Sequence, residues 1–124
     1  MIQLRKQINT LLKSYHSQVY YQTAPSTAIF PYIIYDFPNS FTAGEQEIFN
    51  FDVDVWDNNV DTTEIETLAS NLWRGLNYYR YSDEDIQFSI YRENRLPELD
   101  EKEIGLRRRK LIFQLRYFDK KLLD

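Results

Sequence analysis

The stretch from Phe49 to Asp57, FNFDVDVWD, constrains the fold of this chain more than any other. Phe49, Phe51, Val53 and Val55 alternate with Asn50, Asp52, Asp54 and Trp56, and Ile48 joins the second set. Alternation at period two belongs to a strand with one dry face and one largely polar face. A sheet made of such strands must be covered on its dry side, and amphipathic helices supply that cover.

Two segments have the helical period. Leu4, Ile8, Leu11, Leu12 and Tyr15 predict a helix over 2–15. Ile65, Leu68, Ala69, Leu72 and Leu76 form a second apolar stripe, with Trp73 at its edge and Asp61 and Glu64 spaced as a cap at its start. Gly75 weakens the last turn of that helix.

Further strands are expected at 18–23, at 32–37 between Pro31 and Pro38, at 86–94, and in the closing run, where Leu111, Phe113, Leu115 and Tyr117 share a face. The segments 38–47, 77–85 and 96–105 read as polar connections, the first carrying an exposed Phe41. The order is therefore α-β-β-β-α-β-β. The predicted fold is α+β, one domain over 1–124, with two helices on one face of a mostly antiparallel sheet.

Composition narrows the function classes. There is no cysteine, hence no disulfide framework, thiol nucleophile or Cys-based zinc site. The net charge of −4 argues against broad nucleic-acid binding. The first fifteen residues lack the continuous apolar core of a signal peptide, and no apolar run reaches spanning length. Aromatic residues make up 16% of the chain, more than a small core needs, and Tyr20, Tyr21, Tyr32, Tyr35, Tyr78, Tyr79 and Tyr81 are the surplus. Such residues favour strands and protein interfaces.

Four groups are candidate sites. Asp52, Asp54 and Asp57 offer carboxylates for a hard cation or for acid–base work, but further ligands and a nearby histidine are missing; a wet strand face is the simpler reading. His16, the one histidine, has no nucleophile or orienting partner in its sequence neighbourhood and reads as a surface residue at a helix end. The run Arg107, Arg108, Arg109, Lys110 suggests phosphate contacts or a localisation signal. On a strand it splits between two faces, with Arg107 and Arg109 on the side of Leu111, and the loop carrying Glu98, Asp100, Glu101 and Glu103 supplies opposite charge. The tyrosines lack the basic interleaving of a single-strand nucleic-acid platform. No phosphate loop, dinucleotide fingerprint, nucleophile elbow or metal-ligand spacing occurs, so the residues themselves point to a protein-binding module rather than an enzyme.

The order of signals resembles the tail-completion (tail-terminator) proteins of long-tailed bacteriophages. The residues that carry the likeness are Pro31-Tyr32-Ile33-Ile34-Tyr35 after a helix and a strand, Val53-Asp54-Val55-Trp56 leading into an amphipathic helix, and a last strand of alternating aromatics and aliphatics. It departs from the family pattern at 13–18, where many members have small residues, and at the acidic loop 98–103. The resemblance implies a structural virion protein, made in the host cytoplasm, that caps the tail tube and joins the tail to the head connector. It implies a ring, often hexameric, whose subunits can be monomers in solution. Its partners would be the tail-tube protein, the connector proteins and its own copies, with nucleic acid only passing through the ring, no membrane, no cofactor, no metal and no catalytic residue. The interface residues expected are Phe41, Asp52, Asp54, Trp56, Glu98, Asp100, Glu101, Arg107, Arg108 and Arg109, with the acidic loop of one copy meeting the basic strand of the next. A head-closure stopper is the alternative, and a small nucleic-acid-binding regulator a further one.

Overall fold

The chain is described by a computed structural model covering residues 1–96, 100–101 and 104–123, with residues 122 and 123 described by backbone alone. The first helix, α1 (Ile2–Lys13), buries Leu4, Ile8 and Leu12. It closes two residues earlier than its period predicts. The Ser14 and Tyr15 N–H groups turn back three residues to the carbonyls of Leu11 and Leu12, which tightens the last turn. The second helix, α2 (Thr63–Gly75), buries Ile65, Leu68, Ala69 and Leu72. Its N-cap is Thr62, and just before it Asp61 Oδ1 accepts the Thr63 N–H at 3.0 Å and the Thr63 hydroxyl at 2.6 Å. No helix among the described residues is long and apolar enough to cross a membrane.

The strands are β1 (Val19–Tyr21), β2 (Tyr32–Asp36), β3 (Ser40–Ala43), β4 (Gln46–Asp57), β5 (Arg80–Ser82), β6 (Ile86–Leu96) and β7 (Arg107–Asp119). They form one seven-stranded sheet in the order β1-β2-β4-β7-β6-β5, with β3 paired to β4 beyond the end of β2. Only β1 and β2 run parallel; every other pair is antiparallel. The predicted class holds, with two strands more than expected. Residues 38–47 are a hairpin rather than a loop. Gly44, at φ +64°, takes the first of two turn positions between Ala43 and Gln46, where glycine suits the twist of paired strands. Likewise 80–82, expected in a connection, pairs with β6.

Phe49, Phe51, Val53 and Val55 of β4 turn toward the helices, as the alternation requires, and join Phe88, Ile90, Phe113 and Leu115 in a single buried cluster. Phe51 lies at its centre, 5.2 Å from Phe37 and 5.9 Å from Phe113, ring centre to ring centre. Replacing a ring of this kind by a methyl group costs about 3–5 kcal/mol. Most of the surplus tyrosine is absorbed here. Tyr35 is buried, Tyr79 and Tyr81 pack on the core, and Tyr81 stacks on Phe88 at 5.3 Å. Tyr20 and Tyr32 stay outside this cluster and meet each other edge to face at 6.0 Å, and Tyr78 remains exposed.

Candidate functional site

The register between β4 and β7 sets acids against bases. Asp54 faces Lys110, Trp56 faces Arg108 and Val55 faces Arg109. On the outer face, away from the helices, Arg108 Nε lies 3.0 Å from Asp54 Oδ1, and Lys110 Nζ lies 3.2 Å from Asp52 Oδ2 and 3.6 Å from Asp54 Oδ2. The Arg108 guanidinium also sits over the Trp56 ring at 5.0 Å. Both carboxylates are thus held by cations from the neighbouring strand, and Asp54 is almost wholly buried beneath them.

On the helix side, Arg109 is the centre. Its side chain is only 5% exposed and pairs with Glu66 of α2 and with Asp100 Oδ1 at 2.8 Å. Asp100 also accepts from Arg107 Nη1 at 3.0 Å and from the Arg108 N–H at 3.2 Å. Burial alone would raise the Asp100 carboxyl, but these bonds outweigh it and hold it below the ordinary carboxylate range. Burial alone would lower the Arg109 guanidinium, and its bonds to Glu66 and Asp100 raise it instead. Asp100 of the acidic loop and the basic strand therefore engage one another within a single copy. Asp57, on the dry side of β4, is buried; its Oδ1 accepts the Asn58 N–H at 2.8 Å, and its Oδ2 has no hydrogen-bond partner among the described residues.

The other predicted residues scatter. Glu101 forms an isolated bridge with Leu106 beside this network. Glu98 and Glu103 lie outside the described residues. Phe41 stands on β3, a strand well away from the ladder, and is 59% exposed. His16 does not hang free at the end of α1: its Nε2–H donates to the Pro31 carbonyl at 2.6 Å, tying the helix exit to the start of β2. The partner of Arg109 that sequence reasoning missed is Glu66, which the packing of α2 brings over the end of β7 and which no local pattern marks.

What this cluster does chemically is bind itself. Its carboxylates Asp52, Asp54 and Asp100 are each met by one or more cations, and no three metal-ligating side chains converge among the described residues. The molecule is an α+β domain with one curled sheet, two helices on its inner face and a salt-bridged ladder at one end. No protein-family model and no curated protein matches the sequence. Among solved structures, a chain from the virion of a native gene transfer agent (GTA) particle shares this fold, with a TM-score of 0.64 over 90% of this chain and 87% of that one, at 14% identity.

Proposed function

We propose that this chain is a structural protein of a phage-like virion, which caps the end of the tail tube and joins the tail to the head connector as a ring. The observation that carries the proposal is the fold-wide likeness to a chain of the gene transfer agent virion, over 90% of the sequence. The order of sequence signals, which resembles tail-completion proteins, supports the finer assignment. The reading is non-enzymatic. Its support is that Asp52, Asp54 and Asp100 are engaged by neighbouring cations and His16 is engaged by a backbone carbonyl. The partners in this reading are the tail-tube protein, the connector and further copies of the chain.

Electron microscopy of particles from a strain lacking this chain tests it. The expected result is tails of unregulated length, detached from filled heads. Tubes of normal length already joined to heads would overturn it. Normal tubes beside heads that have lost their DNA would place the chain at head closure instead.

A further inference from the structure

The sheet separates charge from side to side. Between Ser17 and Trp73 there are nine Asp or Glu residues and no Lys, Arg or His, whereas from Arg74 onward twelve Lys or Arg residues stand beside ten Asp or Glu. The first stretch builds β1 to β4 and the second builds β5 to β7, so one lateral half of the sheet draws only on acids and the other holds the strand cations. The ladder described above neutralises the seam between the halves. The two outer edges keep their charge. Glu45 and Glu47, at the β3–β4 hairpin, have no ion-pair partner among the described residues, and neither have Arg92 and Arg95 on β6.

Each of those edges also has backbone to offer. β3 pairs with β4 on one side only, and all four of its residues are exposed. The Asn50 N–H bonds the Asn39 carbonyl, and the antiparallel alternation then points the N–H and C=O groups of Ser40 and Thr42 away from β4. β3 contains no proline and no charge, the devices that normally blunt an edge. On the far side of the sheet, β5 covers β6 only at Gln87–Ser89, Tyr78 and Tyr79 bond Ile90, and the Asn77 side chain takes the Arg92 N–H. From 93 to 96 no strand lies outside β6 among the described residues.

The directions match as well. β3 runs opposite to β4, and β6 runs with it, because each is related to β4 through antiparallel pairs. A copy rotated about an axis along the strands therefore presents its β3 antiparallel to the neighbour's β6. Pairing β3 with β3 would bring glutamates together, and β6 with β6 would oppose arginines. Glu47 lies on the helix side of the hairpin with Phe49, and Arg92 and Arg95 stack on Trp73 of α2, at 5.1 and 5.9 Å from the ring centre, on that same side.

We propose that copies of this chain associate head to tail, β3 of one copy adding antiparallel to the outer edge of β6 at 93–96 of the next, with the acidic hairpin tip against the Arg92–Trp73–Arg95 stack. Such a junction is heterologous and leaves one edge of each kind unfilled until a ring closes. The inference deepens the ring assigned under the proposed function and borrows its symmetry from it.

The absence of native cysteine makes the test clean. Ala43→Cys and Asn94→Cys are made separately, both at exposed positions, and treated with a short bis-maleimide at millimolar protein, alone and mixed. Mixed dimers should form about tenfold faster than either same-variant dimer, and the double variant should give closed multimers. Charge reversal at Arg92 and Arg95 should remove the preference, and reversal of Glu45 and Glu47 in the partner copy should restore it. Equal rates for same-variant and mixed pairs, or no cross-link at millimolar protein, would overturn the inference. That outcome with faulty tails in the deletion strain would leave the tail assignment standing; the expected cross-link with normal tails in that strain would do the reverse.

Discussion

At the scale of single residues, Arg109 is the side chain on which the end of the sheet depends. It is an ionised group in a nearly dry position, tolerable because Glu66 and Asp100 both bond it. Arg109→Met should lower the free energy of unfolding by about 3 kcal/mol, the low end for a broken buried pair, because Asp100 keeps Arg107 and Glu66 can return to water. Glu66→Gln, at a carboxylate 43% exposed, should cost about 1 kcal/mol or less in the same urea titration. Asp100 adds a pH signature. Its folded carboxyl titrates below the ordinary value, so its stabilisation is full above about pH 4 and fades as pH falls through the folded value. Asp100→Asn should therefore be less stable than the parent at pH 7, and the gap should narrow below pH 4, as followed by urea unfolding at both. The sequence already placed Arg107 and Arg109 on the side of Leu111. It did not show Glu66 as the partner of Arg109, because that contact is made by the packing of α2 on β7 and by no local pattern.

At the scale of elements, the long amphipathic pieces were legible, as were β1 and β2, while β3 and β5 were not. β4, β6, β7 and both helices carry enough residues for their period to be read. β3 and β5, at four and three residues, do not, and their pairing partners rather than their composition make them strands. Gly75 shows the same division. As a helix residue it looks like a weakness, yet α2 runs to it, and the Tyr15 ring at the exit of α1 occupies the space where a side chain would stand. Alanine in an open helix would gain about 1 kcal/mol over glycine. Here Gly75→Ala should destabilise, since the methyl group meets the ring and hydroxyl of Tyr15. In a Tyr15→Ala background the same change should turn stabilising. A double-mutant cycle in thermal unfolding reads the sign reversal, and additive effects would refute the contact.

At the scale of the whole molecule, what matters is which elements share an edge. The cation-free stretch from Ser17 to Trp73 stands in plain view in the sequence. Its meaning depends on the sheet order, which sends β1 to β4 to one side and β5 to β7 to the other. The expected match between the acidic loop and the basic strand meets, in the fold, an intrachain pairing of Asp100 with Arg107 and Arg109. Edges farther out keep the unmatched charge. An association of that kind should weaken with ionic strength, because its charges are exposed and screened by salt. Sedimentation at millimolar protein should show smaller species at 0.5 M salt than at 0.05 M, values on either side of physiological screening.

The central claim is that this chain is built into a virion at the junction of tail and head. It is tested most directly by cryo-electron microscopy of particles from a strain producing the chain with a bulky C-terminal tag. The account predicts extra density in a ring at the head-proximal end of the tail tube and nowhere else on the particle. Purified particles that assemble normally and contain none of the tagged chain would contradict it.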